Sequence, residues 1–127
     1  MQKITIHPEG YGPPAAPYSA VVESDGLVFV SGQVPLNEAG EVVGATVEAQ
    51  TAQVHANLLA CLKAAGCTFD DVLKASVFLA REEDFGVFNR LYASWFDGPL
   101  PARTAIRADL MRGFLVEVDV VARRRQR

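Results

Sequence analysis

The chain has 127 residues, half of them apolar and 21% charged, enough to bury roughly two thirds of the surface its unfolded form exposes without disulfides or a structural metal. That composition excludes disordered, collagen-like and mini-protein classes, and a single domain over 1–127 is expected. Net charge is −3, but Arg123, Arg124, Arg125 and Arg127 crowd the last five residues and leave eight basic against 15 acidic side chains elsewhere, a poor balance for holding a phosphate backbone.

Alternation predicts a first strand at 3–7, stopped by Pro8. Residues 8–17 hold four prolines and two glycines, so they form a surface loop that delivers Tyr18. Strand-like runs at 18–23 and 27–34 flank Ser24-Asp25-Gly26, whose Asp-Gly step signals a hairpin, and a second turn is expected at 37–40. From the N-cap candidate Thr46, Val47, Thr51, Val54, Leu58, Leu62 and Ala65 recur at helical spacing, with Gly66 as the stop. Residues 72–80 are apolar on both parities and predict a strand covered on both faces. A second helix places Phe85, Phe88, Tyr92 and either Trp95 or Phe96 on one stripe and ends by Asp97-Gly98-Pro99. Strands at 102–108 and 115–122 read as a closing hairpin about a turn containing Gly113. The order β-β-β-α-β-α-β-β predicts an α+β fold, with two helices on one sheet face and another subunit on the other.

No apolar run reaches the roughly 20 residues of a membrane span, and the N-terminal segment lacks the apolar core of a secretory signal, so a cytoplasmic address is expected. Cys61 and Cys67 have no companions to complete a metal set and read as ordinary thiols. His7 and His55 lack a neighbouring nucleophile or acid and are assigned to structure or solvent. The arginine-rich tail reads as a solvated, frayed end.

The chemistry-bearing candidates are polar residues inside apolar strands. Ser31-Gly32-Gln33 interrupts an apolar run and marks either a β-bulge or a ligand contact. Arg103 shares a strand face with Ala105 and Arg107, where a guanidinium fork suits either a surface ion pair or a ligand carboxylate. Glu117 and Asp119 occupy the polar parity of their strand, on a solvated face or, for Glu117, in a cleft beside Arg103.

Together with Ala16-Pro17-Tyr18, Val30-Ser31-Gly32-Gln33-Val34-Pro35, Gly40-Glu41-Val42, Asp84-Phe85 with Asn89 and Tyr92, Pro101-Ala102-Arg103-Thr104 and Val116-Glu117-Val118, these residues make a specific pattern. Over nearly its whole length the chain resembles the RidA family, also called YjgF or L-PSP endoribonuclease. The resemblance implies homotrimers of a chorismate-mutase-like fold, with sheets inside, helices outside and ligand clefts between subunits. It implies hydrolysis of reactive enamines and imines such as 2-aminoacrylate to 2-oxo acids and ammonia, with no cofactor or metal. By position, Arg103 would clamp the substrate carboxylate, Glu117 would hold or polarise the attacking water and Tyr18 would close the cleft. Ser31 and Gly32 would line it, Asn89 would support it, and the Ala105 amide would add a second contact to the carboxylate.

The chain departs from the archetype in having Ala105 where a cysteine is usual and Arg107 where a neutral or acidic residue is usual. Two alternatives stand beside the deaminase: a noncatalytic trimer that binds small carboxylates or partner proteins, and the ribonuclease of the older family name. The acidic body and the lack of paired histidines or a basic, aromatic-interleaved stripe count against the ribonuclease.

Overall fold

Residues 2–125 are described by a computed structural model. Two helices lie on one face of a six-stranded sheet built from β1 (Ile4–Ile6), β2 (Val21–Ser24), β3 (Leu27–Gln33), β4 (Val72–Leu79), β5 (Ala102–Arg107) and β6 (Val116–Arg123). The strand order is β1-β2-β3-β6-β4-β5. The expected element order and α+β class hold. The β2–β3 hairpin turns through Asp25 and Gly26, both at positive φ (52° and 82°), the geometry an Asp-Gly step favours.

Helix α1 (Val47–Ala64) begins where the Thr46 hydroxyl accepts from the Ala49 amide at 3.2 Å. It ends in a Schellman arrangement: Gly66, at φ +76°, donates to the Lys63 carbonyl at 3.0 Å and Cys67 donates to Leu62 at 2.8 Å. All six predicted stripe residues, Val47 to Ala65, are buried against the sheet. Two polar side chains join them. Gln50 accepts from the Leu115 amide at 2.8 Å, and Asn57 donates to the Val34 and Leu36 carbonyls at 2.9 Å each. Each ties the helix to a loop that periodicity could not place.

Helix α2 (Phe85–Ala93) buries Phe88 and Tyr92, and the chain runs on through half-buried Trp95 and buried Phe96. It carries the chain from β4 to β5, and those strands therefore pair in parallel, with Ala75 opposite Arg103 and Val77 opposite Ala105. This corrects the predicted closing hairpin. β6 inserts between β3 and β4, antiparallel to both, and β5 becomes an edge strand. Nor is β4 covered on both faces: Ala75, Val77 and Leu79 are buried under the helices, while Lys74, Ser76 and Phe78 are only half-buried on the open face.

The basic tail is not frayed over its described part. Arg123 ends β6, Arg124 pairs with Glu23 at 2.6 Å, and Arg125 pairs with Asp71 at 2.7 Å. Both acids are buried, and a buried carboxylate demands a partner; Arg127 lies outside the described residues. Cys61 and Cys67 are both buried thiols; burial pushes Cys61 up to about 11, so it is unreactive at neutral pH. His55 stacks on Phe69 with ring centroids 4.8 Å apart, and the His7 ring meets the Tyr11 carbonyl oxygen at 2.9 Å.

Candidate active site

Arg103, Ala105 and Arg107 align with the buried β4 residues Ala75, Val77 and Leu79, so all three face the helical layer. The edge position of β5 leaves room above it, and Arg103 lies there against α2. Its guanidinium donates to Asn89 Oδ1 at 2.8 Å and sits 5.0 Å from the centre of the Tyr92 ring. Both contacts orient a cation without neutralising it. Among the described residues no carboxylate pairs with Arg103, so the surface ion-pair reading fails. The Ala108 amide donates to Leu79, and strand alternation then turns the Ala105 amide outward at the free edge. A guanidinium held by Asn89 and Tyr92 and an outward amide on the same strand edge present the kind of donors that a carboxylate accepts from.

The second group lies on the opposite face. Glu117 pairs across the sheet with Phe78, on the parity facing away from the helices, and is half-buried there. Burial, and then the charge of Asp119 on the same face, raise its pKa above the ordinary glutamate value. The carboxylate lies against Gly32, where the β3–β6 register slips between Val30 and Gln33. The bulge reading of Ser31-Gly32 holds: the extra residue breaks the ladder, and the missing side chain makes room for the Glu117 carboxylate. The Ser31 hydroxyl donates to the Ser19 carbonyl at 2.7 Å, which anchors the segment leading to Tyr18.

Tyr18 is 54% exposed and shares with Gly32 a groove of about 340 Å³ that also runs along Tyr11, Pro13, Pro14 and Gln33. The loop that carries it is pinned by the Tyr11 hydroxyl, which donates to Asn57 Oδ1 at 2.7 Å.

The seven predicted site residues therefore form two groups: Arg103, Asn89 and Ala105 toward the helices, and Tyr18, Ser31, Gly32 and Glu117 around the open face and its groove. Register puts Arg103 and Glu117 two strands apart and three residues out of line, about 10 Å across and about 10 Å along, pointing to opposite faces. The cleft that would place Glu117 beside Arg103 within one chain is absent. Sequence reasoning gave no site role to three residues that position these groups: Tyr92, Tyr11 and Asn57. Tyr92 read as core stripe and as part of the family pattern, without a role of its own, and its contact with Arg103 follows from the unforeseen β4–β5 pairing. No cluster of three metal-binding side chains occurs among the described residues.

The family model described as Endoribonuclease L-PSP matches residues 11–124. The chain is 44% identical over 113 residues to a mouse protein named 2-iminobutanoate/2-iminopropanoate deaminase, spanning 86% of this chain and 84% of the relative. It is 45% identical over 113 residues to a Lactococcus lactis protein that carries the regulator name AldR, spanning 86% of this chain and 90% of that one. The crystal structure of RidA from an Antarctic Psychrobacter superposes with a TM-score of 0.88 at 31% identity, covering 94% of this chain and 98% of that one. With the family model matching residues 11–124 and the fold shared over nearly the whole chain, the chain belongs to the endoribonuclease L-PSP family, also called RidA or YjgF.

Proposed function

We propose that the chain hydrolyses the imines of 2-oxo acids, with their enamine tautomers, in clefts formed where two copies meet. The observation that carries this reading is the unneutralised Arg103 guanidinium, held by Asn89 and Tyr92 beside the outward amide of Ala105. A site of that form selects a small carboxylate and fixes its orientation. The open face supplies the other half. It carries Phe29, Phe78 and Ile106 beside Glu117, an apolar surface that one chain leaves uncovered. A homotrimer with cyclic symmetry covers this face three times with identical contacts and sets the Arg103 group of one copy against the Glu117 group of the next. The name of the mouse relative fits the same chemistry.

In the reaction an enamine first takes a proton on carbon to become the imine. Water then adds to the imine carbon, the nitrogen gains a proton, and the carbon–nitrogen bond breaks to release ammonia and the 2-oxo acid. The balance consumes only water. Arg103 and the Ala105 amide hold the carboxylate, while Glu117, with its raised pKa, accepts the water proton and returns it to the departing nitrogen. Gly32 gives the acid room, and Tyr18 closes the groove.

The test generates 2-aminoacrylate in situ with a serine dehydratase and follows its loss with wild type, Arg103→Ala and no protein. Acceleration by wild type alone supports the reading; no acceleration by any protein contradicts it for this substrate. The name of the Lactococcus relative favours a second reading, a noncatalytic regulator that binds the same carboxylates. That reading predicts saturable binding of a stable 2-oxo acid such as pyruvate, weakened in Arg103→Ala, with no turnover.

A further inference from the structure

Where α1 and α2 pack together, Glu48, Thr51, Ala52 and His55 of the first helix face Leu91 and Ser94 near the end of the second, with Trp95 just beyond it. They line an open-sided hollow of about 230 Å³. None of these residues belongs to the proposed imine cleft. We propose that this hollow is a second binding site, for a small single-ring organic cation such as an arylalkylamine. The dimensions suit one ring with a short arm, since an apolar cavity of about 150 Å³ already accepts benzene.

The polar lining selects the charge. Thr51 is 1% exposed, yet its hydroxyl has no hydrogen-bond partner. The hydroxyl oxygen is closed off from solvent, so the polar groups the hollow presents to a ligand are those of Glu48, His55 and Ser94. The Ser94 hydroxyl already gives its proton to the Leu91 carbonyl at 2.6 Å and so offers only lone pairs. Burial lowers the His55 pKa, which keeps the ring neutral. Glu48 is the one charged side chain of the lining, and no lysine or arginine lines it. Arg81, whose charge interacts with Glu48, is held at two points by Asp84, at 2.8 and 3.0 Å. Trp95 and His55, with centroids 5.1 Å apart and planes tilted by 42°, form an aromatic wall that favours a cation. Acceptors, a carboxylate and π faces thus meet in one place without a competing positive charge.

Trp95 is the only tryptophan in the chain, so its fluorescence reports this hollow directly. Benzylammonium should change that fluorescence saturably. Benzyl alcohol, of nearly the same shape but uncharged, should bind about fivefold more weakly, and Glu48→Gln should weaken benzylammonium by a similar factor. Benzoate should not bind. Ala52→Leu, which fills the hollow from an exposed helix position, should abolish the response. The proposal is overturned by the absence of a saturable change up to about 50 mM, by equal binding of benzoate, or by an Ala52→Leu response equal to wild type.

Discussion

Arg103 and Glu117 stand on opposite faces of one sheet: the guanidinium lies over Tyr92 on the helical side, and the carboxylate lies against Gly32 on the open side. One substrate molecule cannot touch both in a single chain. The two surfaces are complementary in kind, since one fixes a carboxylate and the other offers a half-buried acid with a raised pKa. This separation makes assembly part of the proposed chemistry.

Arg103 should matter for catalysis and little for stability. It is exposed on an edge strand, so Arg103→Ala should leave the melting temperature within a few degrees of wild type. Losing charge-assisted hydrogen bonds worth about 1.5–3 kcal/mol each should lower kcat/KM at least about 100-fold. Arg103→Lys should recover little of this, because an ammonium has no fork to divide between Asn89 and a carboxylate. Steady-state kinetics on the three proteins, with thermal melts, checks both parts.

Gly32→Ala tests the close approach on the other face. A Cβ there runs into the Glu117 carboxylate, the free end of a flexible side chain. The acid should therefore move while the fold survives. We expect kcat to fall by about tenfold or more, the scale of a misplaced proton-transfer group, with near-normal melting. Kinetics and circular dichroism melts on the same sample decide it.

Glu117→Gln should gain stability at neutral pH while losing activity. Burial and Asp119 raise the Glu117 pKa in the folded protein, so the folded state holds more protons than the unfolded state between the ordinary value, about 4.3, and the folded value. Stability then falls as pH rises through that window and stays lower above it. The variant should melt higher than wild type at pH 7, and the difference should vanish below the window. Losing a general base should cost about 100-fold or more in kcat. Melting curves across the acid range, paired with a pH–rate profile, measure both.

The tail should be needed for stability. Arg124→Ala leaves Glu23 buried and unpaired, which should cost about 3 kcal/mol, the low end for a broken buried pair because Arg124 is partly exposed. Arg125→Ala should cost under about 1 kcal/mol, since Asp71 keeps the Thr68 amide as a partner at 2.8 Å. Urea unfolding of the two variants gives the comparison.

How much of this was legible differs by element. Helix α1 was readable because its stripe, its Thr46 cap and its Gly66 stop are local signals that agree. The faces of β5 were also readable, since alternation puts Arg103, Ala105 and Arg107 together. The partner of β5 was not. A short, glycine-containing connection to β6 resembles a hairpin, while the actual pairing with β4 is made through α2 and depends on contacts distant in sequence. The arginine tail misled for a related reason, because Glu23 and Asp71, which bind it, lie 101 and 54 residues earlier. Resemblance to known motifs named the candidate residues, but only register showed that they divide between two faces.

The most direct measurement mixes two inactive proteins. Arg103→Ala keeps its Glu117 surface and Glu117→Gln keeps its Arg103 surface, so oligomers assembled from equal amounts of both should contain intact clefts wherever the right surfaces meet. Random assembly of a cyclic trimer makes about one quarter of the clefts intact. Co-refolded or co-expressed protein should therefore recover about a quarter of wild-type turnover of in situ 2-aminoacrylate. If the mixed trimers stay as inactive as either parent while wild type turns over, Arg103 and Glu117 do not serve one cleft from two chains, and the account is wrong.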